Sequence, residues 1–325
     1  MKNKVITILF LILLLIACVF AGLLFGSVPI QLTDIFDPTS TTYLLITTVR
    51  IPRVFAGLLA GVGLACSGVI LQGVMNNSLA SPNTIGVNSG AGFAVMLSML
   101  IFPGNITTIP VFAFVGALLT TLAIFFLAYL ADSSRTTIIL AGITVSSFLS
   151  AGINTVKLLD TDITVNMTSF MIGSLSGLTL SKLALPACCI LLAFFVSLFL
   201  AKPLNILGLG DDIARSLGLH VGVTRFILLL ISSVLAGCVV SFAGLLGFVG
   251  LIVPHICRHL FGNDARFLLP CSALLGASFV LLCDLLGRTL FAPFELPVGI
   301  LMAFIGGPFF LYLLLKKKGG RRVNA

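Results

Sequence analysis

Gly208-Leu209-Gly210-Asp211-Asp212-Ile213-Ala214-Arg215-Ser216-Leu217-Gly218-Leu219 forms a hydrophilic island between two apolar halves. Asp211 is placed to cap a helix start, with its negative charge where the helix dipole favours it. Gly218 is placed to end that helix in the left-handed conformation. A helix of under two turns fits between them, too short to persist alone in water. Ile213 and Leu217 stand four apart and share one face. A short capped helix with a small apolar face and exposed charges needs a surface to dock against. It reads either as a lever for a partner protein or as a loop that joins two membrane halves.

The bulk of the chain says what those halves are. Of 325 residues, 59% are hydrophobic and 9% charged, and the mean hydropathy is +1.23. A soluble domain carries about 25% charged residues, so this is an all-α polytopic membrane protein. The net charge is +8. Basic residues fall in short loops and at the ends rather than on one soluble face, which suits membrane orientation and not nucleic acid. Eight cysteines form no C-x-x-C motif and lie mostly in apolar runs, as small buried hydrophobes. That pattern predicts neither a disulfide framework nor a zinc site. Leu15-Ile16-Ala17-Cys18 has the look of a lipoprotein cleavage box. The apolar run continues to Phe25, however, about 20 residues and long enough to span, so an uncleaved first helix is expected.

Taken in order, the chain predicts about ten transmembrane helices. The first runs roughly over 5–27. The second opens at Arg50-Ile51-Pro52-Arg53, with Pro52 acceptable in a first turn. It is rich in small residues that let membrane helices approach closely, and ends near Asn77. The polar, Gly-rich stretch 78–90 lies between spans. Irregular backbone at membrane depth survives where protein or a water-filled cavity satisfies it, so this stretch is expected to line a cavity. The third helix follows that stretch and continues to about 102, and further helices fall near 110–131, 136–156, 183–201, 226–242, 267–286 and 298–315. A short apolar run at 244–253 is the eighth, and 254–266 reads as a polar loop. Ten spans put both termini on one side. Thirteen of the 18 Lys and Arg residues fall on that side, which predicts cytoplasmic termini and a cytoplasmic island.

Arg50 and Arg53 fall on the outer side, against this rule. Their i, i+3 spacing puts them on one face, and guanidiniums grip carboxylates. They read as outward-facing docking residues or as interfacial snorkels. Arg288 lies on the same side with Asp284 four residues before it, the favourable order for a local pair. His255, Cys257 and His259 sit in the predicted loop and read as structural; no metal site is assigned. Asp211-Asp212 resembles an Asp-rich prenyltransferase motif, but position 215 is Arg and the later Asp is absent. No Ser-His-Asp order occurs, so no catalytic residue is assigned. Gly-Lys is absent throughout, hence no phosphate-binding loop; any ATP is bound by another chain. Mid-span ionisable residues are scarce, against a proton relay.

Several segments together resemble the FecCD-type permeases of ABC importers, over about 50–315. They are Arg50-Ile51-Pro52-Arg53, Ser67-Gly68 to Gln72-Gly73, Asn77-Ser78-Leu79-Ala80-Ser81-Pro82, Gly86-Val87-Asn88-Ser89-Gly90-Ala91 and Gly173-Ser174-Leu175-Ser176-Gly177. The island, Gly247-Phe248-Val249-Gly250-Leu251-Ile252-Val253-Pro254-His255 and Glu295-Leu296-Pro297-Val298-Gly299 complete the series. The resemblance implies a type II ABC importer permease fold, with 1–325 as one transmembrane permease domain. It implies a dimer with a second permease copy or a homologous permease, two ABC ATPases and an extracytoplasmic substrate-binding protein. ATP and magnesium would belong to the ATPase; no cofactor is bound by this chain. The island matches the coupling helix, about 210–218, with Gly210, Asp211, Asp212, Ile213, Ala214, Arg215, Leu217 and Gly218 as coupling residues. Arg50, Arg53 and Arg288 match the docking positions. Gln72, Asn83, Asn88, Ser133 and Ser134 are candidates for the path or gate. Ser81 departs from the family, where Asp or Glu is frequent. The implied function is transport of ferric siderophores across the bacterial cytoplasmic membrane. The alternatives are the same machine for haem or cobalamin and, more distantly, an ATP-independent secondary transporter or channel.

Overall fold

A computed structural model describes residues 2–35, 37–130 and 135–319. Among these residues every regular element is helical, and ten apolar helices stand out. They are α1 Lys2–Leu24, α2 Ile51–Val74, α3 Val87–Ile101, α4 Ile109–Leu130, α5 Arg135–Leu159, α6 Leu180–Phe199, α7 Val221–Ala243, α8 Val249–Phe261, α9 Ala265–Thr289 and α10 Val298–Gly319. Seven are long and apolar enough to cross a membrane, and α3, α8 and the apolar part of α10 are shorter. The expected architecture of about ten spans is therefore present.

α2 occupies the centre, packed against α6, α7, α8 and α9. Its most apolar window is 83% buried inside the chain, against 17% for α1 and α5 at the periphery. Lipid is as apolar as the side chains, so close packing and polar contacts must hold such a centre together. Glycine provides the closeness. A Cβ at Gly61 would overlap the carbonyl of Gly276 on α9, and one at Gly68 would overlap the carbonyl of Gly250 on α8. Between α2 and α7 the hydroxyls of Ser67 and Ser232 meet at 2.7 Å, fully buried.

The unwound segment before α8 pairs with the backbone after α6's preceding helix, Thr161–Ile172. Ser174 N–H donates to the Ala243 carbonyl at 2.9 Å, and Leu245 N–H to that of Phe170 at 2.9 Å. Buried irregular backbone is tolerated because its polar groups are satisfied in this way.

α8 corrects the sequence reading. The expected loop at 254–266 is helical as far as Phe261, and Pro254 lies inside that helix. Proline has no N–H, so the Gly250 carbonyl four residues earlier loses its helical donor. Gln72 of α2 replaces it: Nε2 donates to Gly250 O at 3.1 Å. Arg258 in turn donates through Nη1 to Gln72 Oε1. His255 and His259 thus stand on a helix, with ring centres 5.0 Å apart, while Cys257 is buried.

Gln72→Leu should lower thermal stability in detergent by about 1–3 kcal/mol, because it orphans the Gly250 carbonyl. Adding Pro254→Ala restores the missing N–H, so the double variant should lose less than the two single changes summed. Strict additivity would show that Gln72 does not fill the proline gap.

Candidate functional site

At one pole the island forms the short helix Asp211–Ser216. Gly210 enters it at φ 115° and Gly218 leaves it at φ 80°, a region closed to most L-residues. Leu219 N–H donates to the Ala214 carbonyl at 3.0 Å, and Gly218 N–H to that of Arg215 at 2.9 Å. This pairing is a Schellman C-terminus, as Gly218 leads one to expect. The start differs. Gly210 holds the N-cap position and Asp211 is the first helical residue, its carboxylate accepting from Arg225 Nη2 at 2.7 Å. This nearly buried guanidinium on α7 ties the short helix to the bundle. Asp212 and Arg215 lie 3.5 Å apart but are both exposed, so their pair adds little. Ala214 is buried beneath the helix. Ile213 is 50% and Leu217 60% exposed, and Leu209 joins them at 59%, four residues earlier. Ile213 and Leu217 form an exposed apolar face of the short helix, while Leu209 ends the preceding helix Ala201–Gly208.

At the opposite end of α2, the arginines overturn an expectation. Arg50, Arg53 and Arg288 are only 3%, 5% and 3% exposed, so they do not face outward. Arg50 donates to the carbonyls of Leu23 and Leu24 at 2.8 and 2.7 Å, and also to that of Val28. It closes the C-terminal end of α1, where orphan carbonyls and the dipole favour a cation. Arg53 Nε donates to both oxygens of Asp284 at 3.0 and 3.2 Å, and Nη1 to Glu295 at 2.6 Å. Arg288 Nε lies 3.1 Å from Asp284, the local pair expected from the spacing. Its Nη2 donates to the Gly22 carbonyl at 3.2 Å. Two guanidiniums, Arg53 and Arg288, therefore share Asp284, Arg53 also holds Glu295, and Arg50 beside them is satisfied by backbone carbonyls. Glu295, in the loop between α9 and α10, is the rim of this cluster, with a side chain 31% exposed. Burial would raise its pKa, but the bonds from Arg53 and Ser27 and the nearby positive charges hold it below the ordinary glutamate value.

The path candidates separate. Asn83 is exposed and lines an open groove of about 640 Å³ between the 3-10 turn Pro82–Ile85 and α5. Its other wall carries Gly142, Ser146, Ser150 and Asn154. These four recur every fourth residue along α5, a periodicity visible in the sequence. Asn88 is half-buried in the first turn of α3 and does not line the groove. Gln72 is buried beneath α8. Ser133 and Ser134 lie outside the described residues. No three His, Cys, Asp or Glu side chains gather as metal ligands among the described residues.

The sequence profile of the FecCD transport family matches residues 13–316. The Fe(3+)-citrate import system permease protein YfmE of Bacillus subtilis (strain 168) is 37% identical over 306 residues, covering 94% of this chain and 92% of its own length. The hemin transport system permease protein HmuU of Yersinia pestis is 34% identical over 321 residues, covering 96% of both. A solved inward-facing metal-chelate type ABC transporter superposes with a TM-score of 0.83 at 33% identity, over 95% of this chain and 99% of that one.

Asp284→Asn should cost about 3–5 kcal/mol of stability, because it leaves buried guanidiniums without their shared anion. Glu295→Gln, at the half-exposed rim, should cost clearly less. Thermal unfolding in detergent measures both; two small and equal losses would mean that the arginines are solvated. Acid should act through Glu295 in a definite direction. Its pKa is depressed, so its contribution is present above the unfolded glutamate pKa and lost as pH falls through the folded value. Glu295→Gln should flatten that part of the stability profile.

Proposed function

This chain belongs to the FecCD transport family, and from that premise we propose that it is the permease subunit of an ATP-binding-cassette importer of ferric siderophores. The short helix Asp211–Ser216 carries this reading. It offers an exposed apolar face, Ile213 and Leu217, on a helix braced from beneath by Arg225. Such a face has no use in water unless a partner covers it. Because the chain contains no Gly-Lys phosphate loop, the partner that supplies energy is a separate ATPase, which holds the ATP and magnesium. Closure of two ATPases pushes on the short helix, and the Asp211–Arg225 bond passes that movement into α7.

The chain sits in the bacterial cytoplasmic membrane with both termini and the short helix inside, in line with thirteen of its 18 basic residues. It pairs with a second copy or a homologous permease. The groove lined by Asn83, Ser146, Ser150 and Asn154 is this subunit's share of the path. Small uncharged polar groups there would wet a large chelate without binding it tightly. A loaded binding protein docks at the opposite pole. Since the arginines are buried, its acidic side chains do not meet free guanidiniums; they displace Glu295 at the rim and take its place on Arg53. The hemin relative makes haem the second reading, and the path has no feature that selects between the two chelates.

Ile213→Asp combined with Leu217→Asp should abolish stable co-purification with the ATPase and lower ATP-driven uptake of a ferric siderophore at least tenfold. Uptake that persists without ATP would favour a secondary transporter. Glu295→Gln, which loosens the rim, should alter the affinity for the binding protein while leaving ATPase assembly intact. Docking unchanged by both Glu295→Gln and Arg53→Gln would exclude the cluster from docking.

A further inference from the structure

Beside the short helix, a cavity of about 430 Å³ opens between the end of α2, the helix Ala201–Gly208 and the α8–α9 junction. Its polar wall is made of amides, Gln72, Asn76, Asn77, Asn205 and Asn263, together with one cation, Arg258. No carboxylate lines it among the described residues. The nearest, Asp264, is turned to its own helix start: it accepts from Asn205 Nδ2 at 2.7 Å and from Arg266 N–H at 3.1 Å. Arg258 donates one N–H to Gln72, and among the described residues no carboxylate forms an ion pair with it.

Arg258 is half-buried, and the four buried arginines among the described residues are compensated differently: Arg50 donates to the carbonyls of Leu23, Leu24 and Val28. Arg53, Arg225 and Arg288 each sit within 3.1 Å of a carboxylate oxygen. A guanidinium drawn out of water costs free energy unless an anion or a set of acceptor oxygens compensates it. Arg258 points at a cavity instead of at an acid, and around it are amides that can donate further hydrogen bonds. That donor set suits a multi-oxygen anion, and a guanidinium is the side chain best matched to phosphate. The remaining wall is apolar, from Leu204, Leu209 and Leu268. A cavity with a cationic, amide-rich side and an apolar side suits an amphiphile.

We propose that this cavity binds a phosphate group, with Arg258 as its counter-charge. The group is the phosphodiester of an anionic lipid head or a soluble phosphate; the apolar wall and the volume, larger than orthophosphate needs, accommodate the former. A ligand there would touch α2, α8 and α9 and the helix that leads into Asp211–Ser216 at once. Its occupancy would stiffen the root of the short helix.

The test uses the purified full-length chain. Native mass spectrometry from nanodiscs containing phosphatidylglycerol reports bound lipid, and calorimetric titration with sodium phosphate reports the soluble anion. One saturable site per chain is expected. Arg258→Gln should weaken it at least tenfold and Arg258→Lys should largely retain it. Since Arg258→Gln also removes the Gln72 contact, Asn263→Asp serves as a second variant: it adds a carboxylate to the wall and should weaken binding by a similar factor. Retained lipid that disappears in these variants identifies the lipid source. Phosphate binding that follows the same pattern, without retained lipid, identifies the soluble one. Absence of both ligands from the wild type, or equal binding by wild type, Arg258→Gln and Asn263→Asp, would overturn the proposal.

Discussion

The close approach of α2 to its neighbours is the constraint on which the other features rest. Between apolar helices in an apolar solvent, burial alone supplies no preference for protein over lipid. Backbone contact at Gly61–Gly276 and Gly68–Gly250, and the Ser67–Ser232 hydroxyl pair, supply it here. The same closeness brings Gln72 within reach of the Gly250 carbonyl that Pro254 leaves without a donor. A helix that would otherwise break at Pro254 is completed by a side chain from the helix it crosses.

Both poles are extensions of that centre. At one end of α2, Arg53 reaches α9 and the loop beyond it, while Arg50 from the preceding turn closes α1. Charges that the membrane side would otherwise penalise are arranged as a connected network in which each guanidinium has oxygen partners. At the other end, the short helix hangs from α7 through Arg225 and Asp211. Both poles are therefore tied to helices in contact with α2.

The local features were legible in the sequence. Gly218 as a left-handed stop, the exposed Ile213–Leu217 pair and the Asp284–Arg288 pair depend on neighbours within five residues, where helical geometry dictates proximity. The ten apolar stretches were legible for a similar reason, since span length follows from bilayer thickness. The helix Val249–Phe261 was misread beyond residue 253, because proline argues for a break unless a distant donor compensates. The outward-facing reading of Arg50 and Arg53 failed for the same class of reason. Their spacing places them on one face, but the partners that turn that face inward, Asp284 and Glu295, are 231 and 242 residues from Arg53.

The sequence by itself determined the solvent, the class and the short helix: 9% charged residues demand lipid, apolar length sets the spans, and Gly210 to Gly218 encodes a short helix between them. The tertiary structure decided where each charge and each buried polar group finds its partner. It sent Asp211 to Arg225, Gln72 to Gly250, and the three arginines inward, and it left Arg258 facing an amide-lined cavity. The reason is physical. Helical periodicity says which residues share a face, but the direction of that face, and the oxygen or nitrogen that waits there, depend on how other helices pack against it.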